Sequence, residues 1–118
     1  MKLKTAISIA LCALAATPVS AMTVQTFLDR ADAMRAKGMM AAFSSGFSEL
    51  RNEGRDAMKS WRGQTATARP PVCPPTKVQR MGVDEFLNLL RALPAVDRAT
   101  LSLRDGLHRQ MNARYRCR

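Results

Sequence analysis

A single histidine, His108, limits what chemistry the chain can carry, because no second histidine and no nearby cysteine stands at metal-ligand spacing from it. Nucleophilic catalysis lacks its parts as well. Ser44, Ser45 and Ser48 fall in one stretch, but no Gly-x-Ser-x-Gly elbow surrounds them and no histidine is close in sequence to activate one. Asp84 and Glu85 are the nearest thing to a carboxylate pair, yet neighbours on a helix point about 100° apart, and acids are favoured in a helix's first turn for electrostatic reasons alone. Seven methionines follow Met1, and Met34, Met39 and Met40 are the ones that a soft metal could use; their spacing follows the Phe and Leu stripe and fits an adaptable core or interface better. Neither a catalytic residue nor a metal or cofactor site is expected.

Long apolar runs are equally scarce. The one candidate, Ala6 to Ala16, is about half of the roughly 20 residues that a bilayer requires. Lys2 and Lys4 precede it and Val19-Ser20-Ala21 follows it, the order of a secretory signal cleaved after Ala21. Cys12 follows Leu11 inside the apolar run, which does not fit a lipoprotein signal, so it is expected to leave with residues 1–21. Residues 22–118 then form one domain, periplasmic or secreted, with two cysteines, Cys73 and Cys117. An oxidising compartment favours joining them. A bridge closing so long a loop should contribute roughly 4 kcal/mol on the chain-entropy account.

Acidic residues are few and unevenly placed. Residues 22–61 carry six Lys or Arg against five Asp or Glu, whereas residues 62–118 carry eleven against four. An exported protein meets little nucleic acid, so the anionic partners open to the C-terminal half are an acidic protein surface, lipopolysaccharide or lipid headgroups. A merely solvated, solubilising face is the plainer alternative.

No stretch alternates apolar and polar residues and no repeat is visible, while helical spacing recurs. Val24, Phe27, Leu28, Ala31 and Met34 lie on one stripe, with Thr23 as a suitable N-cap and Gly38 as a stop. A second stripe runs from Met39 or Met40 through Phe43, Phe47, Leu50, Gly54 and Ala57 or Met58 to Trp61. Gly46 and Gly54 weaken it unless helices approach closely there, and Gly38 could be only a kink in one long bent helix. Four prolines at 70, 71, 74 and 75 make residues 63–81 a connector. A third helix spans about 82–93, with Phe86, Leu87, Leu90 and Leu93 on one face, and a fourth carries Leu103, Leu107, Met111 and Tyr115, opened by Ser102 and Asp105. Trp61 and Tyr115 would close the core or anchor a partner.

The expected fold is therefore all-α: N-terminal helices in 22–62, the connector, and a helical hairpin in 82–118 closed by the disulfide, four helices in all or a long bent helix plus the hairpin. Arg104, Arg109, Arg114 and Arg116 are the candidate partner contacts, as charge-assisted donors to an acidic surface.

Val72-Cys73-Pro74-Pro75, Phe86-Leu87 with Leu90, the helix-ending Pro94, Arg98, and a last amphipathic helix ending in Tyr115 and Cys117 form a pattern over residues 69–118. In these features the chain resembles the Tai/Rap family of immunity proteins, which protect bacteria against type VI secreted peptidoglycan amidases. The resemblance implies an exported, helical, disulfide-linked protein without catalytic activity that works by covering or entering an effector's active site. A different expectation from the residues alone is an envelope stress or chaperone-like helical protein that holds unfolded clients or contacts anionic lipid at the membrane periphery.

Overall fold

Thr23 and Ser102 are short hydroxyl residues that each begin a helix, and the fold places the two beginnings side by side. In the computed structural model, which describes residues 22–38, 40, 44–75 and 81–118, Thr23 and Ser102 face each other in an isolated antiparallel bridge. Val24 N donates to Leu101 O at 3.0 Å and Leu103 N to Met22 O at 2.8 Å. Each hydroxyl then accepts from the backbone three residues on, Thr23 from Thr26 N and Ser102 from Asp105 N, both at 3.1 Å. Two sets of orphan helix donors are thereby satisfied at one point. The expected leader at 1–21 lies outside the described residues, as do Met39, Phe43 and residues 76–80 of the connector.

From that point α1 (Val24–Ala36) and α5 (Leu103–Arg114) run on. Gly38 follows α1 with φ +67°, the left-handed conformation that ends helices and that glycine adopts without penalty. Ser44, extended at φ −88° and ψ 150°, caps α2 (Ser45–Gln64) by accepting from Phe47 N. The chain is thus two helices here, not one bent helix, and α2 starts later than the Met39 or Met40 stripe implied. It also ends later than expected, reaching Gln64 and then a 3-10 turn, Thr65–Thr67, inside the stretch expected as connector.

The expected hairpin of two helices holds three. After α3 (Val83–Arg91), Pro94 opens a six-residue helix, α4 (Ala95–Thr100), before α5. Pro94 suits this place because the first helical positions need no N–H. Arg98 then reaches back from α4, its Nη1 donating to Arg91 O at 2.9 Å, so an orphan carbonyl at the end of α3 is capped by the helix that follows it. Five α-helices are described where four were expected.

The core is the meeting of the predicted stripes. Val24, Phe27 and Leu28 of α1, Leu50, Ala57 and Trp61 of α2, Leu87 and Leu90 of α3, Leu93, and Leu103, Leu107 and Met111 of α5 are buried together with Val72. Phe27 and Phe86 meet edge to face at 5.8 Å, the arrangement favoured by ring quadrupoles. Gly54 lies under this pair with room for ordinary contact, while a Cβ on Gly46 would come within 2.5 Å of Met34 Cε, so close approach is what Gly46 provides. The tightest approach belongs to Gly106, where a Cβ would stand 2.3 Å from Val24 Cγ2 and 3.1 Å from Leu93 Cδ1. No helix among the described residues is long and apolar enough to cross a membrane.

Cys73 and Cys117 are joined, with Cα atoms 4.9 Å apart and a separation of 44 positions in sequence. Around the bridge the chain is extended: Val72 pairs with Arg116, Cys73 N donates to Tyr115 O at 2.7 Å, and Cys117 N donates to Pro71 O at 3.1 Å. The proline-bearing segment is thereby fastened to the end of α5.

Two stability measurements test this packing. Gly106→Ala gains helix propensity worth about 1 kcal/mol but forces a methyl against stiff, fully buried Val24, so a net loss of about 1–2 kcal/mol is expected in urea unfolding; unchanged or raised stability would contradict it. Replacing both Cys73 and Cys117 by serine should lower unfolding free energy by roughly 4 kcal/mol, as the loop length requires.

Candidate functional site

Arginine's fixed fork of donors suits it to carboxylates, and the described chain uses several of its arginines internally. Arg109 pairs with Asp97 at 3.0 Å, tying α5 to α4. Arg114 pairs with Glu85 at 2.6 Å, tying α5 to α3, and its guanidinium carbon stands 5.7 Å from the centre of the Tyr115 ring. Arg91 holds Asp32 at 2.6 Å, and Arg35 holds Asp84, so α1 and α3 are linked twice. All these pairs are exposed or partly exposed and each is worth at most about 1 kcal/mol, so they orient helices more than they stabilise them.

The four candidate contacts therefore divide. Arg109 and Arg114 are engaged with neighbouring helices, while Arg104 and Arg116 are exposed and have no carboxylate partner among the described residues. Nor are these two brought together. Arg104 is in the first turn of α5 and Arg116 lies beyond its last residue, a separation of at least 15 Å or so along the axis at 1.5 Å per residue. Asp84 and Glu85, adjacent in sequence, are held by arginines from different helices and do not face each other as a pair.

The disulfide-tied end collects what the sequence scatters. Trp61, 4% exposed, donates through Nε1 to Asn112 Oδ1 at 2.9 Å and meets the Tyr115 ring at 5.8 Å. The end of α2 is thereby seated beside the end of α5, and the loop 68–75 is laid over it by the bridge. Arg62, Arg69, Arg116 and Arg118 are exposed at this end without a carboxylate partner among the described residues. Arg62, Arg69 and Arg118 were not singled out from sequence; the signal available was the absence of any acid between Asp56 and Asp84 and after Asp105.

The other candidates take structural places. Ser44 caps α2 and its hydroxyl lies 3.6 Å from Met34 Sδ, with Met34 half-buried against the core. Met40 is 76% exposed and distant in character from a ligand cluster, and among the described residues no group of three or more His, Cys, Asp or Glu could hold a metal ion. His108 is half-buried on α5, its Nε2 enclosed without a hydrogen-bond partner among the described residues.

Burial holds the His108 pKa below the ordinary 6.5; Asp105 works against this and Arg104 reinforces it. The fold consequently favours neutral imidazole. Its contribution to stability is complete above pH 6.5 and is lost as the pH falls from there through the lower folded-state value. Between pH 8 and 5.5 the native chain should lose stability and His108→Gln should lose less; parallel curves would contradict the assignment.

Compared with known proteins, the chain matches no family model, and no curated protein or solved structure matches it.

Proposed function

We propose that this chain is an exported, periplasmic, non-enzymatic binding protein of the immunity type, which blocks a secreted peptidoglycan amidase by covering its active site. One observation carries the reading. The residues on which the resemblance to Tai/Rap proteins rests do one job together: they build the stapled C-terminal scaffold. Val72, Cys73 and Cys117 form the tie, Leu87 and Leu90 are buried, Phe86 meets Phe27, Pro94 opens α4, Arg98 caps α3, and Tyr115 packs on Trp61. Surface complementarity needs such a rigid body and no reactive centre. The disulfide is consistent with the oxidising space in which such a protein would work.

The chaperone-like or lipid-binding alternative would draw on the exposed Met40, Phe47, Val83 and Val96. These are four single residues, in the α1–α2 turn, α2, α3 and α4, and no family pattern comparable to that over residues 69–118 supports this alternative.

The test is enzymatic. A secreted amidase encoded beside this gene should lose its hydrolysis of peptidoglycan when mixed with the oxidised chain at equimolar concentration. Full hydrolysis in the presence of a large excess, or a gene without such a neighbour, would remove the immunity reading.

A further inference from the structure

Between Asp56 and Asp84, and again from Gly106 to Arg118, the chain contains no carboxylate side chain. These two stretches are remote in sequence, and the structure joins them at one end of the molecule. Cys73 is bonded to Cys117, Val72 is paired with Arg116, and Trp61 packs on Tyr115. Arg62, Arg69, Arg116 and Arg118 are all exposed there. Among the described residues none of the four has a carboxylate partner, and the Arg69 guanidinium reaches only the carbonyl of Ala68, at 3.0 Å. Elsewhere Arg35, Arg91, Arg109 and Arg114 are each matched to an acid, and the exposed, unmatched Arg30, Arg51, Arg55 and Arg104 each stand within two residues of an Asp or Glu in the chain.

We infer that this disulfide-tied end is a docking surface for a carboxylate-rich patch on a partner protein, with Arg62, Arg69, Arg116 and Arg118 as its donors. The inference rests on the reading of the chain as a binding protein and names the surface it would use. Guanidinium forks match carboxylates in two-point geometry. Arg62 sits on the last turn of α2, and the two segments that carry Arg69 and Arg116 are held together before any partner arrives, by the bridge, by backbone pairing and by prolines of fixed φ, so little further ordering is needed on binding. A lipid surface is the weaker match. Interfacial binding uses an apolar face beside the basic one, whereas at this end Trp61 and Val72 are buried and the large exposed apolar residues lie elsewhere.

The experiment measures binding of the oxidised protein to fluorescein-labelled poly-L-glutamate and to phosphatidylglycerol vesicles at low salt. Arg69→Glu/Arg116→Glu/Arg118→Glu is compared with Arg30→Glu/Arg51→Glu/Arg55→Glu, an equal charge change on exposed positions of α1 and α2. The first triple should weaken poly-L-glutamate binding about 30-fold and the second by no more than about 3-fold, since contact charges act locally while net charge acts diffusely. The milder R69Q/R116Q/R118Q variant should keep the same order with a smaller loss, which guards against misfolding of the reversal. Equal losses in the two triples would overturn the proposal, leaving only net charge. So would tighter binding to the vesicles than to poly-L-glutamate, abolished by the first triple, which would make the surface a lipid site. Failure to inhibit an amidase would leave this result standing, and equal losses here would leave inhibition untouched.

Discussion

One covalent link, Cys73 to Cys117, decides the arrangement of the C-terminal half. The segment 68–75 has no regular structure of its own; its backbone groups find partners in the tail at Tyr115 and Cys117 only because the bridge holds the two strands of chain in register. Val72 is buried under that arrangement, and Tyr115 is set against Trp61. Closing a loop of this length removes much of the freedom of the unfolded chain. A domain with so small a core has few other means of offsetting the entropy of ordering a proline-bearing segment.

Electrostatics then divides the molecule into two regions. In the helical body, acids and arginines meet across α1, α3, α4 and α5, and because each pair is exposed or partly so the benefit is orientation more than stability. Around the tied end, residues 57–83 and 106–118 supply no acid, and Arg62, Arg69, Arg116 and Arg118 are exposed without a carboxylate partner among the described residues. An unpaired cluster on a pre-ordered segment is a surface suited to an external acidic partner, and it needs neither a pocket nor a reactive group.

The helices were legible where a complete apolar stripe and a cap coincide. Val24 to Met34 with Thr23, and Leu103 to Met111 with Ser102, read correctly because side-chain caps and periodicity agree. The six-residue α4 carries no buried residue, so no stripe could announce it; it depends on Pro94 and on Arg98 reaching Arg91 O, and the latter is a tertiary contact. The start of α2 was misread because Met40 and Phe43 continue the spacing, while the local signal that sets the boundary is the cap at Ser44. The disulfide followed from cysteine count and the expectation of an oxidising compartment. The division of the arginines did not, since partners such as Asp97 and Glu85 lie 12 and 29 residues from Arg109 and Arg114 and no local rule connects them.

The account stands on the bridge being present in the protein where it acts. Protein taken directly from the cells that make it, blocked with an alkylating reagent before denaturation and digested without reduction, should yield in mass spectrometry a single linked peptide pair containing Cys73 and Cys117, with neither cysteine alkylated. Recovery of both cysteines as separate alkylated peptides would contradict the account, because the tied end and the surface built on it would then not exist.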